Sequence, residues 1–329
     1  MDFSKIVGHE DIIRHFKSSI EQDKISHAYI INGEPDSGKK MLARAFAATL
    51  QCEKGEPEPC NSCKSCLQAE TGNHPDIITV SHEKDGVISV DEIREQVVDT
   101  VDIKPYSSRY KIYIIPDAQL MNTQAQNALL KTIEEPPEYA VIMLLTTNTE
   151  KLLPTVLSRC IVLNTRPVRE RDMLDYLEKE LKLSEDKAYF CLDFAQGNLG
   201  KAIKLASNEE YVRIIDAVVE MLTDIHDMDV DDLTSALAKI EEFKLSINDY
   251  MDLMIMWYRD VLMLKVTGNI DRLLFKQQYN VMKKQAGILS YKGIEDKIDA
   301  ISRAKRRLEV NANFDVTMEL LLLTLKEER

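Results

Sequence analysis

Five short apolar runs recur along the first half of the chain, and polar or amphipathic segments separate them. Each run is brief, mostly β-branched or aliphatic, and bounded by polar residues, which favours a buried strand. The runs are His27–Ile31, Ile77–Val80, Lys111–Ile115, Val141–Leu145 and Ile161–Leu163. Helical patterns lie between them, so the sequence predicts an α/β layer in which helices flank a parallel sheet.

The helices of this layer are predicted from apolar residues at helical spacing and from end signals. Ser89 and Glu92 have the spacing of a capping box and begin a helix that runs to about Val101. A second clear end signal is Pro136, which directly follows a helical segment. The predicted helices are Asp11–Ile20, Met41–Ala47, Ser89–Val101, Thr123–Glu135 and Leu152–Leu157.

The strand pattern stops at Arg166, and the rest of the chain is predicted to be helical. Gly197–Gly200 separates two helices, and the acidic segment Asp224–Asp232 is predicted to be a loop. The predicted helices are Arg169–Lys182, Ser184–Ala195, Gly200–Ala206, Met251–Val266 and Thr317–Leu325, with further amphipathic stretches from Tyr211 onward. We therefore predict an α/β domain over 1–165, a small helical domain over 166–207 and a C-terminal helical domain over 208–329.

The segment between the first strand and its helix has the pattern of a phosphate loop. Gly33, Gly38 and Lys39 match G-x-x-x-x-G-K, in which backbone N–H groups and the helix N-terminus face an anion and the lysine reaches the outer phosphates. The next position normally carries Ser or Thr as a magnesium ligand, whereas Lys40 has no lone pair for a metal while protonated. A plain strand-to-helix turn with a surface lysine is the alternative interpretation.

A second departure from the ATPase pattern follows the third apolar run. An acidic pair is expected there, with one carboxylate near Mg²⁺, but the sequence reads Pro116-Asp117. A strand leaving the sheet through a proline turn also accounts for Pro116. Because both magnesium positions are abnormal, we expect no intrinsic ATPase activity, while binding of ATP or ADP stays open. The fourth run closes in Thr146-Thr147-Asn148, where a polar side chain could face a γ-phosphate.

Arg159 lies in Ser158-Arg159-Cys160, between a short helix and the fifth apolar run. An isolated arginine in such a place is commonly a surface residue. Its position at a helix-to-strand corner, which we place on the functional edge of the sheet, also suits an arginine finger for the nucleotide of a neighbouring subunit.

Four of the six cysteines are close together in the sequence. Cys52, Cys60, Cys63 and Cys66 can surround one tetrahedral Zn²⁺, and a site filled by four thiolates is structural. Four reduced thiols in a surface loop are the alternative. Cys160 and Cys191 lie far from this group and are predicted to be packed or partly exposed thiols.

The charge balance argues against broad nucleic-acid binding. The 329 residues carry a net charge of −13, whereas binding to phosphates needs clustered Lys and Arg. One basic run, Arg303–Arg307, is either a solvated helix face or a contact to DNA or a partner. We see no secretory signal and no apolar run long enough to span a membrane, so we expect a cytoplasmic protein.

Together these motifs resemble the clamp-loader branch of the AAA+ ATPases over nearly the whole chain. The most specific match is Asn127–Pro137, and His27-Ala28-Tyr29, the four-cysteine insert and Ser158-Arg159-Cys160 also match. Within that branch, Trp257–Asp260 and Ala304–Asn313 are similar to the delta-prime family of bacterial DNA polymerase III subunits. Motor subunits of the gamma/tau type would keep Ser or Thr at position 40, an acidic pair at 116–117 and an arginine in place of Gly200.

The resemblance implies a fold and a function. The fold is an AAA+ P-loop parallel-sheet domain with a zinc-binding insert, a helical lid and a C-terminal helical oligomerisation domain. The chain would be a non-hydrolysing subunit of a hetero-oligomeric ring with gamma/tau- and delta-type subunits, which acts on the sliding clamp and primed DNA during replication. Arg159 would act in trans, Cys52, Cys60, Cys63 and Cys66 would bind zinc, and Gly33, Gly38 and Lys39 would form a vestigial phosphate loop. An ATP-hydrolysing gamma/tau-type motor and a zinc-dependent DNA-binding module are the alternative hypotheses.

Overall fold

The computed structural model describes residues 2–82, 86–270, 273–309 and 312–327. The chain forms two compact units, one of Met1–Lys182 with Ala195–Lys201 and one of Leu183–Phe194 with Ala202–Arg329. The predicted division into three domains stays a prediction. Val310 and Asn311, within the Ala304–Asn313 resemblance, lie outside the described residues. The same holds for Met1, where the predicted α/β domain begins, and for residues 328 and 329, where the predicted C-terminal domain ends.

The first unit is an α/β layer. Its strands are β1 Ala28–Asn32, β2 Ile77–Thr79, β3 Lys111–Ile115, β4 Ala140–Thr146 and β5 Ile161–Asn164. Its helices are α1 Glu10–Glu21, α2 Lys39–Leu50, α3 Lys64–Thr71, α4 Val90–Ile93, α5 Asp99–Val101, α6 Thr123–Glu134, α7 Pro154–Leu157 and α8 Glu170–Lys179. The predicted helix Ser89–Val101 starts with the capping box at Ser89, but its middle is the π-helical segment Arg94–Val98.

The five strands form one parallel sheet in the order β2-β3-β4-β1-β5. This confirms the predicted parallel-sheet domain. Because β1 lies between β4 and β5, its carboxyl end meets the carboxyl ends of those two strands at one edge. In parallel α/β sheets this edge is where ligands bind.

Side chains of the sheet alternate between two apolar cores. On one face, Tyr29 packs with Phe16 of α1 and Phe46 of α2, and the last two rings stack with centroids 4.0 Å apart. On the other face, Ile30 packs with residues of α4 to α6 such as Ile93 and Leu129. Burial on both faces explains why the strands are continuous apolar runs.

The second unit is helical, as predicted. It contains most of α9 Glu185–Ala195 and α10 Leu199–Ser207, and all of α11 Glu209–Asp224, α12 Val230–Glu241, α13 Ile247–Thr267, α14 Tyr279–Ile288, α15 Tyr291–Glu309 and α16 Phe314–Lys326. The gap between α11 and α12 confirms a loop there, but it is shorter than the predicted Asp224–Asp232, because Asp224 ends α11 and α12 already begins at Val230. None of the described helices is long and apolar enough to cross a membrane.

Buried polar contacts fix the core of the helical unit. Trp257 donates through Nε1 to Gln285 Oε1 at 2.8 Å, and Gln285 Nε2 donates to the Leu222 carbonyl at 2.8 Å. Asp260 Oδ2 accepts the Phe275 N–H at 3.0 Å. Two residues of the Trp257–Asp260 motif therefore hold the fold together. Met251, Met254 and Met256 of the same helix are buried core residues.

Candidate functional site

The phosphate-loop stretch connects β1 to α2, as the sequence predicts. Gly38 precedes α2 with φ of +83°, a left-handed conformation that glycine adopts without strain. The Gly33 N–H donates to the Thr146 carbonyl at 3.1 Å and fixes the start of the loop against β4. Beside the loop lies a cavity of about 490 Å³, lined by residues 35–41 together with Pro116, Asp117, Gln119, Leu145 and Thr147.

The Lys39 side chain is folded back onto its own loop. Its Nζ donates to the Gly33 carbonyl at 2.7 Å and to the Glu34 carbonyl. Burial lowers the pKa of Lys39, and the charge of Asp117 partly opposes this effect. Two of the three ammonium donors are thus used by loop carbonyls. Lys40, one residue on, is exposed.

A glycine-rich segment, 197–200, covers one side of the phosphate loop. Asn198 is buried, and its Nδ2 donates to the Pro35 carbonyl at 2.8 Å. A Cβ at Gly200 would lie 2.2 Å from the Asp36 carbonyl oxygen, closer than real Cβ contacts occur. Position 200 therefore accepts only glycine unless the backbone moves, and an arginine there would displace the loop.

Two further residues hold the loop from the other side. The Thr165 hydroxyl donates to Ser37 Oγ at 3.2 Å and lies where a Cβ of Gly33 would be, at a separation of 1.7 Å. His9 Nε2 lies 2.9 Å from the Ser37 carbonyl and donates to it, and burial lowers the pKa of this imidazole. His9, Thr165 and Asn198 were not predicted as loop contacts, because a single polar residue distant in sequence gives no signal of its partner.

The two abnormal magnesium positions lie on the same cavity. Pro116 directly follows β3 and is buried, and Asp117 comes next with φ of +49°. Lys40 and Pro116, which take the two ligand positions, cannot coordinate a cation, and Asp117 offers a carboxylate. Thr147 also borders the cavity, and its backbone N–H donates to Gln119 Oε1 at 3.1 Å.

Arg159 lies at the opposite edge of the sheet from the phosphate loop, so the predicted edge was wrong. Arg159 precedes β5, and the register pairs Tyr29 with Ile161 and Asn32 with Asn164. The arginine is therefore level with the amino end of β1, whereas the loop follows its carboxyl end. At about 3.3 Å per residue, roughly 20 Å separates the Arg159 backbone from the loop along the strand.

Contacts within the chain orient the Arg159 guanidinium. Its Nη2 lies 3.0 Å from Glu134 Oε1, and its Nη1 donates to the Thr155 carbonyl at 3.0 Å and to Ser158 Oγ at 3.2 Å. The Arg159 and Glu134 side chains are 40% and 46% exposed, so the pair lies at the surface. Glu134 belongs to the motif Asn127–Pro137, but its pairing with Arg159 was not predicted.

The structure brings the four predicted cysteines together. The sulfur atoms of Cys52, Cys60, Cys63 and Cys66 all lie within 4.8 Å of one another, and those of Cys60 and Cys66 are 3.9 Å apart. Thiolates about 2.3 Å from a tetrahedral metal have sulfur–sulfur edges of about 3.8 Å. The cluster therefore has the size and chemistry of a four-thiolate metal site.

Backbone N–H groups point at these sulfurs. The Cys63 N–H donates to Cys60 Sγ at 3.3 Å, and the Cys66 N–H donates to Cys63 Sγ, the cap of α3, at 3.4 Å. Hydrogen bonds led by that of the Ser62 hydroxyl lower the pKa of Cys60 to about 5. Burial raises the pKa of Cys66. Neighbouring thiolates repel one another, so a cation is needed before all four can ionise.

A buried polar network joins the cysteine insert to the sheet. The Asp76 N–H donates to His74 Nδ1 at 3.1 Å, so the neutral ring carries its proton on Nε2 and donates it to Ser65 Oγ at 2.8 Å. The Asp76 carboxylate accepts the Tyr106 N–H at 2.6 Å and the Ser107 N–H at 2.9 Å. Burial lowers the pKa of His74, which favours this neutral form.

The remaining predicted features lie elsewhere. Arg303, Arg306 and Arg307 are exposed on α15, and Lys305 pairs with Asp252 on α13. Cys160 and Cys191 are apart from the cysteine cluster, and burial raises the pKa of Cys160 to about 12.

Residues 8–169 match the family model described as DNA polymerase III, delta subunit. The DNA polymerase III subunit delta' of Bacillus subtilis is 31% identical over 324 residues, which cover 96% of this chain and 95% of the relative. Subunit tau of the same organism is 26% identical over 330 residues, which cover 93% of this chain and 58% of tau.

A solved structure also aligns along the chain. It is the gamma subunit-related protein of Thermotoga maritima, with 22% identity, a TM-score of 0.47 and coverage of 97% of this chain and 99% of that one. The extent and identity of the match to the Bacillus subtilis delta' subunit decide the family. This chain belongs to the DNA polymerase III clamp-loader family that includes the delta-prime subunits.

Proposed function

We propose that this chain is a delta-prime-type, non-hydrolysing subunit of the bacterial clamp loader. It would form a hetero-oligomeric ring with gamma/tau- and delta-type subunits and donate Arg159 to the ATP site of a neighbour, while the complex loads the sliding clamp onto primed DNA. The observation that carries this proposal is the position of Arg159. Its separation from its own phosphate loop, roughly 20 Å along the sheet, exceeds the reach of an arginine side chain.

Three features in and around the phosphate loop support the absence of ATP hydrolysis. Lys40 and Pro116 cannot act as magnesium ligands, and Lys39 donates to carbonyls of its own loop. Gly200 lies so close to Asp36 that an arginine has no room there. In a motor subunit of the gamma/tau type, the resemblance implies a magnesium ligand at position 40 and an arginine at position 200.

We further propose that Cys52, Cys60, Cys63 and Cys66 hold one structural Zn²⁺. The size of the cluster and the N–H groups aimed at its sulfurs support this assignment. With four thiolates there is no open position for a substrate, so the metal would contribute stability to the insert. The predicted lid over 166–207 and the oligomerisation domain over 208–329 belong to the same proposal.

The test is an ATPase assay of the reconstituted complex with clamp and primed DNA. Arg159→Ala should leave assembly intact and lower turnover by about 10³-fold or more, because an arginine finger is typically worth that much. Arg109→Ala, which removes another exposed and ion-paired arginine, is the matched control and should leave turnover unchanged. Unchanged turnover with Arg159→Ala would reject the role of this residue.

A second assay separates the motor hypothesis from the proposal. The isolated chain should show no ATP hydrolysis above background, and Lys39→Ala should not change this. Steady-state hydrolysis by the isolated chain that disappears in Lys39→Ala would establish an active motor.

A further inference from the structure

The motif Asn127–Pro137 ends in two carboxylates whose role neither the phosphate loop nor the cysteine cluster explains. Glu134 is the last residue of α6, and Glu135 is the C-cap of the same helix. A helix carries partial negative charge at this end, so a carboxylate there is unfavourable unless a cation lies beside it. Departures from such local rules are expected at functional sites. The position of Glu134 therefore indicates a role outside the helix itself.

The cation beside Glu134 is Arg159. Glu134 Oε1 lies 3.0 Å from Arg159 Nη2. Glu135 makes no ion pair or side-chain hydrogen bond to any residue that the structure describes. Of the two carboxylates at the end of α6, only Glu134 thus contacts the arginine.

Buried contacts between α6 and the start of α7 fix the place of this pair. Gln126 of α6 is 3% exposed, its Nε2 donates to the Lys151 carbonyl at 3.0 Å, and its Oε1 accepts the Leu153 N–H at 2.7 Å. Leu153 is the N-cap of α7, and Arg159 follows the end of this short helix closely. The backbone of Arg159 is therefore held at a set distance from the end of α6, where Glu134 lies.

The contacts of the guanidinium leave one of its edges free. Nη1 uses both of its N–H groups, one toward the Thr155 carbonyl and one toward Ser158 Oγ. Glu134 faces Nη2, and among the described residues Arg159 Nε has no partner. The Nε–H and the N–H of Nη2 beside it form an edge that can donate two parallel hydrogen bonds to a phosphate. Without Glu134 the side chain would have more rotamer freedom and would present this edge only part of the time.

We propose that Glu134 is the positioning residue of Arg159. Its carboxylate holds the guanidinium so that the free edge faces the triphosphate of ATP bound to the neighbouring subunit. This inference rests on the proposed role of Arg159 in trans, and it adds the residue that orients that arginine. Glu134 acts through Arg159 alone.

The test is the ATPase of the reconstituted complex with clamp and primed DNA, measured over a range of ATP concentrations. Glu134→Ala should lower kcat about tenfold, because the freed side chain has to lose its rotamer freedom again in the transition state. The KM for ATP should stay within about twofold, since the nucleotide is bound by the neighbour. Glu134→Gln keeps the size and one acceptor oxygen, and it should lower kcat less than Glu134→Ala does.

The matched control is Glu135→Ala, which removes the other carboxylate from the same end of α6 and should leave kcat unchanged. A double-mutant cycle then separates positioning from a merely structural effect. In the Arg159→Ala background, Glu134→Ala should cause no further loss of turnover. A structural effect of Glu134 would lower turnover in both backgrounds.

Three results would overturn the inference. In the first, Arg159→Ala lowers kcat but Glu134→Ala behaves like Glu135→Ala, which rejects the positioning role and leaves the proposed function standing. In the second, Glu134→Ala raises turnover, or lowers it equally in the Arg159→Ala background, so that Glu134 restrains the arginine or acts without it. In the third, Arg159→Ala leaves turnover unchanged, which rejects the proposed role of Arg159 together with the inference.

Discussion

Replacing Gly200 by alanine tests whether segment 197–200 holds the phosphate loop in place. The added Cβ would lie 2.2 Å from the Asp36 carbonyl oxygen and 2.8 Å from the Asp36 Cβ. Because the nearest atom belongs to the backbone, no side-chain rotation can remove the clash. Either the loop or the start of α10 has to move.

The size of the effect follows from a comparison with a second helical glycine. A Cβ at Gly287 in α14 would meet nothing within 4 Å, so Gly287→Ala should stabilise the chain by about 0.5–1 kcal/mol through helix propensity and reduced unfolded-state entropy. Gly200→Ala has the same local gain, but overpacking costs about 1–3 kcal/mol. The free energies of unfolding of the two variants should therefore differ by about 1–3 kcal/mol, with Gly200→Ala the less stable.

Hydrogen exchange followed by mass spectrometry locates the change. Peptides that contain residues 33–41 should exchange faster in Gly200→Ala, by about tenfold for each 1.4 kcal/mol lost locally, because the Ser37 N–H to Glu34 carbonyl bond opens more often. The same peptides should be unchanged in Gly287→Ala. Equal exchange in both variants, with equal gains in stability, would refute the close contact between Gly200 and the loop.

Three further predictions concern other parts of the chain. Cys60→Ser should reduce bound zinc, measured by elemental analysis, from about one per chain to a small fraction, and the Cys191→Ser control should retain it. Gln285→Leu should lower the free energy of unfolding by about 2 kcal/mol or more, measured by urea denaturation, because it leaves the Trp257 N–H and the Leu222 carbonyl buried without a partner. The pKa of His9 is lowered in the folded state, so its contribution to stability is complete above about pH 6.5 and is lost as the pH falls below that value. In His9→Asn, the free energy of unfolding should therefore depend less on pH between about 5 and 7. A pH dependence identical to that of the parent chain would contradict the last prediction.

The parts of the fold that were predicted correctly have strong local signals. The strands β1, β3 and β4 are almost wholly buried, so their sequences are continuous apolar runs, and the capping box at Ser89 is local by definition. The cysteine cluster was found for the same reason, since its four ligands lie within one short stretch. The π-helical segment Arg94–Val98 was missed, because its sequence keeps an ordinary helical pattern.

The features that were missed depend on distant pairs. Nothing in the sequence near Ser37 indicates His9 or Thr165, and nothing near Arg159 indicates that Glu134 is within 3.0 Å. The wrong edge for Arg159 has a similar origin. The motif gives the order of helix, arginine and strand along the chain. Which edge of the sheet Arg159 lies at follows only from the parallel register of β5 against β1.

The sheet order also has a consequence for synthesis of the chain on the ribosome. β1 is the first strand to emerge, yet both of its neighbours, β4 and β5, are translated much later. Until then the backbone N–H and C=O groups on both edges of β1 have no strand partner and its apolar side chains are not covered. A nascent chain in this condition is prone to aggregate or to bind chaperones. Fragments that end before β5 should for this reason be prone to aggregation, even though they contain the complete phosphate loop and the complete cysteine insert.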